Sequence, residues 1–143
     1  MKAKNKSWEQ ELIDSFKELK SKDIKADSHN NFNCRSNTKA DVQYTDLKGT
    51  DWFIEAKSFI SPDKYNGLHK IFGELLKMAK FAENSGNAHF GILIDDESFL
   101  QNHLGMCSKE KLHAFGKIFE DKITVFIFSN GKLKEQPWES FIQ

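Results

Sequence analysis

Two short runs constrain this chain most. Ala88–Ile94 (A-H-F-G-I-L-I) and residues 122–129 (K-I-T-V-F-I-F-S) are almost continuously apolar, β-branched or aromatic. Runs of this length and type read as strands buried on both faces, the middle of a sheet covered by helices on each side. Three stretches have helical periodicity: residues 7–22, 65–84 and 97–120, the last broken near Gly105. With residues 40–60 reading as a hairpin, the order is helix, strands, helix, strand, helix, strand. That order predicts an α/β sandwich with a mixed central sheet. The 143 residues, with 13 Phe and 3 Trp to fill an interior, suit one domain over positions 1–143.

The helices carry their own signals. Ser7 is an N-cap candidate with Gln10 three residues on. At about 100° per residue, Trp8, Leu12, Ile13, Phe16 and Leu19 share one sector, and Glu9 falls inside it. An acid on an apolar stripe points either at a site or at a solvated first turn, where the helix dipole favours it. In 65–84, Leu68, Ile71, Phe72, Leu75, Leu76, Met78, Ala79 and Ala82 make a broad inward face. His69, Lys70, Gly73, Lys77 and Lys80 oppose it, with Glu74 and Phe81 at the edge. In 97–120, Leu104, Leu112, Phe115, Ile118 and Phe119 are expected inside. Asp95, Asp96 and Glu97 are a cluster of the kind that can bind a metal, but the expected role is capping the following helix. Asn130-Gly131 turns the chain, and residues 132–142 read as a short terminal excursion.

Residues 51–59 (D-W-F-I-E-A-K-S-F) alternate like a strand. Trp52, Ile54, Ala56, Ser58 and Ile60 share one face; Phe53, Glu55, Lys57 and Phe59 share the other. An acid and a lysine thus stand side by side between phenylalanines, where charge is costly unless paired or put to use. Asp41 and Gln43 lie on one face of the preceding strand, 40–45, and 46–50 supply turn residues. Pairing within the hairpin brings Asp41 near Glu55. The tripeptide K-A-D also occurs at 25–27, but the second copy opens a regularly alternating strand.

Lys plus Arg and Asp plus Glu are equal at 21 each, which argues against a generally basic nucleic-acid binder and leaves local stripes to do the work. Arg35 is the sole arginine, so bidentate reading of guanine is nearly absent and phosphate contacts would dominate. Arg35, in the polar segment 23–39, with Gln43, His69, Lys70, Lys77 and Lys80, makes the candidate nucleic-acid contact set. Gly73 leaves room within the lysine stripe for a phosphate backbone. His103, Cys107 and His113 are metal-ligand types without a zinc spacing. Cys34 and Cys107 read as free thiols, no run is long enough to span a membrane, and residues 1–8 do not read as a secretory signal, with no apolar stretch behind their lysines. The expectation is a cytoplasmic protein.

Phosphodiester hydrolysis needs a positioned water and stabilisation of negative charge on phosphorus. Mg²⁺ suits this role and takes one or two carboxylates plus waters and substrate oxygens. Asp41 and Glu55 are the candidate carboxylates, with the Ala56 backbone carbonyl as a third ligand. Lys57 can orient or deprotonate the attacking water, and Glu9 can complete the shell or hold a second ion. If Glu55 and Lys57 instead form only a cross-strand ion pair, no chemistry follows.

Asp41 followed by Glu55-Ala56-Lys57, on consecutive strands between an acidic helix and a lysine-bearing one, resembles the PD-(D/E)XK nuclease superfamily. Ala40 stands where many members have proline. The resemblance covers roughly residues 7–95. It implies a restriction-endonuclease-like α-β-β-β-α-β core with a mixed central sheet flanked by helices. It also implies Mg²⁺- or Mn²⁺-dependent DNA cleavage by Asp41, Glu55, Lys57 and Glu9. The stretch K-G-T-D-W-F-I-E-A-K-S-F is similar to Holliday-junction resolvases, which would imply a homodimer. A noncatalytic nucleic-acid- or protein-binding module on the same fold is the alternative.

Overall fold

A computed structural model describes residues 7–23, 40–60, 62 and 64–142. The order is α1 (Trp8–Lys20) with a 3₁₀ turn (Ser21–Asp23), β1 (Val42–Thr45), β2 (Asp51–Lys57), α2 (Lys64–Phe81) and β3 (Ala88–Ile94). There follow α3 (Glu97–Leu104), α4 (Lys109–Ile118), β4 (Ile123–Ser129), β5 (Lys132–Pro137) and the single turn α5 (Trp138–Phe141). The strands form one sheet in the order β1-β2-β3-β4-β5. The β2–β3 and β3–β4 pairs are parallel; β1–β2 and β4–β5 are antiparallel. The α/β class with a mixed sheet flanked by helices is as expected; the fifth strand, β5, is not. Two strands precede α2 among the described residues. A third, as in an α-β-β-β-α-β core, would fall within 24–39, outside them.

Local chemistry explains the boundaries. The Ser7 hydroxyl accepts from the Gln10 N–H at 2.9 Å and starts α1. The Gln10 side chain turns to Asp14 instead of back to the cap. Asp96 caps α3 by accepting from the Phe99 N–H. Ser108 caps α4 after the break at Gly105. Asn130 and Gly131 both take positive φ (54° and 75°), the backbone that a tight two-residue hairpin requires.

The sheet separates two cores. On one face, Leu12, Ile13 and Phe16 of α1 pack on Val42, Tyr44, Ile54, Ala56, Leu93 and Phe126. Each such side chain contributes about 1.5–3 kcal/mol of transfer free energy. Gly91 is required here: a Cβ at that position would lie 2.6 Å from the Phe126 ring and 2.9 Å from Ile54 Cγ1. On the other face, α2 and α4 cover Phe53, Phe59, Ile92, Ile94, Val125 and Ile127, joined by Trp138 and Phe141.

Three expectations need correction. Leu76 and Ile118 are 53% and 65% exposed, not inward, because their helices meet the sheet over a narrower arc than their apolar periodicity covers. Leu19, likewise assigned to the apolar sector, is largely exposed near the end of α1. Residues 132–142 are no excursion. They form β5, an edge strand against β4, and α5, which buries Trp138.

Candidate active site

The site starts from strand register. In the β1–β2 ladder Val42 faces Ile54, so one further step sets Asp41 opposite Glu55. The Asp41 N–H donates to the Ile54 carbonyl at 3.0 Å, and Asp41 Oδ2 accepts from the Ala56 N–H at 2.9 Å. Asp41 is therefore fixed at the open end of the hairpin. Glu55 and Lys57 share the α2 face, with Glu55 only 5% exposed. Lys57 Nζ stands 3.3 Å from Glu55 Oε2 and 3.7 Å from Glu74 Oε1 of α2. Gly67, in the first part of α2, lies over the lysine stem, close enough that a Cβ there would be 3.5 Å from Lys57 Cδ.

Two carboxyls, Glu55 and Glu74, thus flank one ammonium, and Asp41 stands beside Glu55. Burial, then the Asp41 charge, pushes Glu55 up to about 8; Lys57 opposes this, while Glu74 and a hydrogen bond with Asp41 add to it. Raised in this way, the Glu55 carboxyl favours keeping its proton near neutrality. A divalent cation can take that proton's place.

Glu9 reaches the same strand end from the opposite side of the sheet. Its Oε2 accepts from the Ser58 N–H at 3.2 Å. Asp95, at the end of β3, accepts from the Ser58 hydroxyl at 2.5 Å and the Phe59 N–H at 2.7 Å. Burial raises the Asp95 carboxyl, opposed by those two hydrogen bonds. Glu9 and Asp95 together fix the backbone just past Lys57. The structure brings Asp41, Glu55, Lys57 and the Ala56 backbone together, and sets Glu9 one residue beyond them on the Ser58 amide.

Sequence reasoning missed Glu74 and Asp95. The signal for Asp95 was topological: Lys57 pairs with Ile94 across the parallel ladder, so the next step sets Ser58 beside Asp95. Glu74 was assigned to the edge of its helix, and that edge is the one facing Lys57.

His69, Lys70, Gly73, Lys77 and Lys80 are all exposed on α2. At about 100° per residue, Lys70 and Lys77 fall on the flank of Gly67 and Glu74, beside Lys57. His69 and Lys80 fall toward the other flank, and Lys80 pairs with Glu83 at 3.4 Å. Gln43 is half-buried, and its Oε1 is buried without a hydrogen-bond partner. Arg35 lies outside the described residues, as do Cys34 and the first K-A-D. Of the metal-ligand types in the helical region, His103 Nδ1 bonds to the Phe99 carbonyl and Cys107 to the His103 carbonyl. Among the described residues no group of three or more His, Cys, Asp and Glu is arranged to hold a metal ion. Among the described residues no helix is long and apolar enough to cross a membrane.

No protein-family model matches the chain, nor does any curated protein or solved structure.

Proposed function

We propose that this chain is a Mg²⁺-dependent DNA endonuclease of the PD-(D/E)XK type, acting in the cytoplasm. The observation that carries the reading is the Asp41–Glu55–Lys57 cluster: two carboxyls and an ammonium gathered on a buried strand face at the sheet's open end. Two carboxylates meet the demand of Mg²⁺, which completes its shell with water and substrate oxygens. Asp41 and Glu55 would hold the ion, with the Ala56 carbonyl as a further ligand; Mn²⁺ can substitute. When bound, the ion supplies Lewis-acid stabilisation of charge on phosphorus and lowers the pKa of a bound water. The residues do the rest. Asp41 is oriented by the Ala56 amide. Lys57, its stem passing below Gly67, would direct its ammonium to the attacking water or the developing negative charge. Glu74 holds that ammonium in place, and Glu9 acts indirectly through Ser58. Lys70 and Lys77 flank Glu74 and suit successive phosphates, while His69, Lys80, Gln43 and Arg35 are more peripheral contacts. A homodimer would let two such sites cut opposing strands, as in a junction resolvase.

Incubating the chain with plasmid and branched DNA in Mg²⁺, Mn²⁺ or EDTA tests the reading. Metal-dependent nicking should appear, and Lys57→Ala should lower it roughly 10²–10⁴-fold. Equal nicking by wild type, Asp41→Ala and Lys57→Ala would sink it. Mg²⁺ should also raise the melting temperature more at pH 8.5 than at pH 6, because binding must displace the Glu55 proton. The second reading, a noncatalytic binding module, draws on Lys57 being already engaged by two carboxyls. It predicts DNA binding that is unchanged in Glu55→Gln and independent of metal.

A further inference from the structure

At the end of the sheet that carries Lys57, the chain builds an aromatic surface that the cleavage chemistry does not use. Tyr65, in the first turn of α2, is 53% exposed. Its ring lies 5.3 Å from both Phe99 and His103 of α3, at 66° to each. Phe99 and His103 are themselves 4.3 Å apart, and Phe59 supports Phe99 from beneath at 4.8 Å. Lys64 holds its ammonium 5.1 Å from the Phe99 centroid and 5.6 Å from that of Tyr65. Phe59 is two residues past Lys57 and is fixed by Asp95 through its amide. Tyr65 is two residues before Gly67, where a Cβ would lie 3.5 Å from the Lys57 stem. The cluster is thus tied to the candidate site by both the strand and the helix that form it.

A half-exposed tyrosine braced by two rings, with an ammonium alongside, offers a π-face and a cation together. A nucleotide offers the complement, a base face and a phosphate. A paired base inside a duplex has both faces covered by its neighbours; an unpaired one does not. The lysines of α2 continue the positive charge away from Lys64 along the same helix, as a strand leaving the platform would need.

We propose that Tyr65, braced by Phe99 and His103 and assisted by Lys64, stacks an unpaired base. The preferred substrate would then be a strand single-stranded at or next to the cleavage point. The inference rests on the nuclease reading for its biological sense, but stacking is measured separately from cutting.

The test is a titration of the full chain in EDTA, where binding proceeds without cleavage, against an oligonucleotide carrying 2-aminopurine. The probe is used single-stranded and annealed to its complement. Wild type should quench the single-stranded probe and bind it more tightly than the duplex. Tyr65→Ala should abolish the quenching and weaken single-strand binding roughly 5- to 150-fold, the range of one base–aromatic stack. Tyr65→Phe, which keeps the ring, should restore both. Lys64→Gln should weaken binding and reduce its salt dependence. Failure of wild type to bind the single strand in preference to the duplex overturns the proposal. So does unchanged quenching in Tyr65→Ala. A shift in the oligomeric state of Tyr65→Ala with nucleotide binding intact would also overturn it, by making the patch a protein contact. Wild type that binds and quenches but never cuts in Mg²⁺ sinks the nuclease reading alone. Wild type that cuts while Tyr65→Ala binds normally sinks the stacking proposal alone.

Discussion

The two faces of β2 are made to different rules. Toward α1, Ile54 and Ala56 meet Leu12, Ile13 and Phe16 in a continuous apolar contact. Toward α2, the same strand presents Glu55 and Lys57 between Phe53 and Phe59. Glu55 is the one buried charged side chain among the described residues. Burying an acid beside other acids costs stability that a leucine there would not. One face is arranged for packing; the other gives up packing to keep charge in a fixed place.

The largest test of this contrast is on the apolar face. Phe16, fully buried and edge-on to Phe126 at 5.2 Å, should cost about 3–5 kcal/mol when cut to Ala, measured by urea unfolding. On the charged face the sign reverses. The double variant Glu55→Leu/Lys57→Met should be neutral to about 4 kcal/mol more stable than wild type, while losing metal-dependent nicking. A marked loss of stability in that variant would mean the pair is structural. Next, Gly91→Ala should cost about 1–3 kcal/mol by overpacking, since the Phe126 ring and Ile54 leave no room for a methyl group.

A pH dependence tests the charged face by its sign. Glu55 is raised to about 8 in the folded protein from an ordinary 4.5. The folded state therefore binds this proton more tightly than the unfolded chain. Its contribution is complete below about pH 4.5 and is lost as pH rises through about 8. Denaturation midpoints of wild type relative to Glu55→Gln should fall between those limits. A rising or flat difference would show that Glu55 is ionised throughout. Asp95, also raised by burial, acts in the same direction in both proteins and cancels in the comparison.

Much of this frame was legible because single elements announced themselves. Ser7, Asp96 and Gly105 mark helix ends by local hydrogen bonding, and β3 and β4 are too apolar to lie anywhere but inside. The Asp41–Glu55 approach followed from the side-chain period of two and a short turn. What escaped depended on partners. Leu76 and Ile118 have core-like spacing, but among the described residues no opposing surface covers them. In β5, K-L-K-E-Q-P is polar because an edge strand has one side unpaired, and lysines there discourage further strand pairing. Asp95 and Asp96 are adjacent identical residues. Asp96 turns forward to cap α3 and Asp95 turns back to β2, a distinction set by the ladder and invisible in composition. Glu74 required knowing how α2 is rotated on the sheet.

Trp138 has a consequence for the order in which the molecule assembles. Its indole N–H donates to the Leu112 carbonyl at 2.8 Å. The ring fits over Gly116, where a Cβ would come within 2.7 Å, and it meets both Phe72 and Phe115. One side chain near the end of the described chain therefore closes the space between α2 and α4. Contacts of such sequence separation form late, because the intervening loop must first be ordered. Until Trp138 is in place, Phe72 and Phe115 lack this cover, and apolar surface uncovered in that way favours association with other chains.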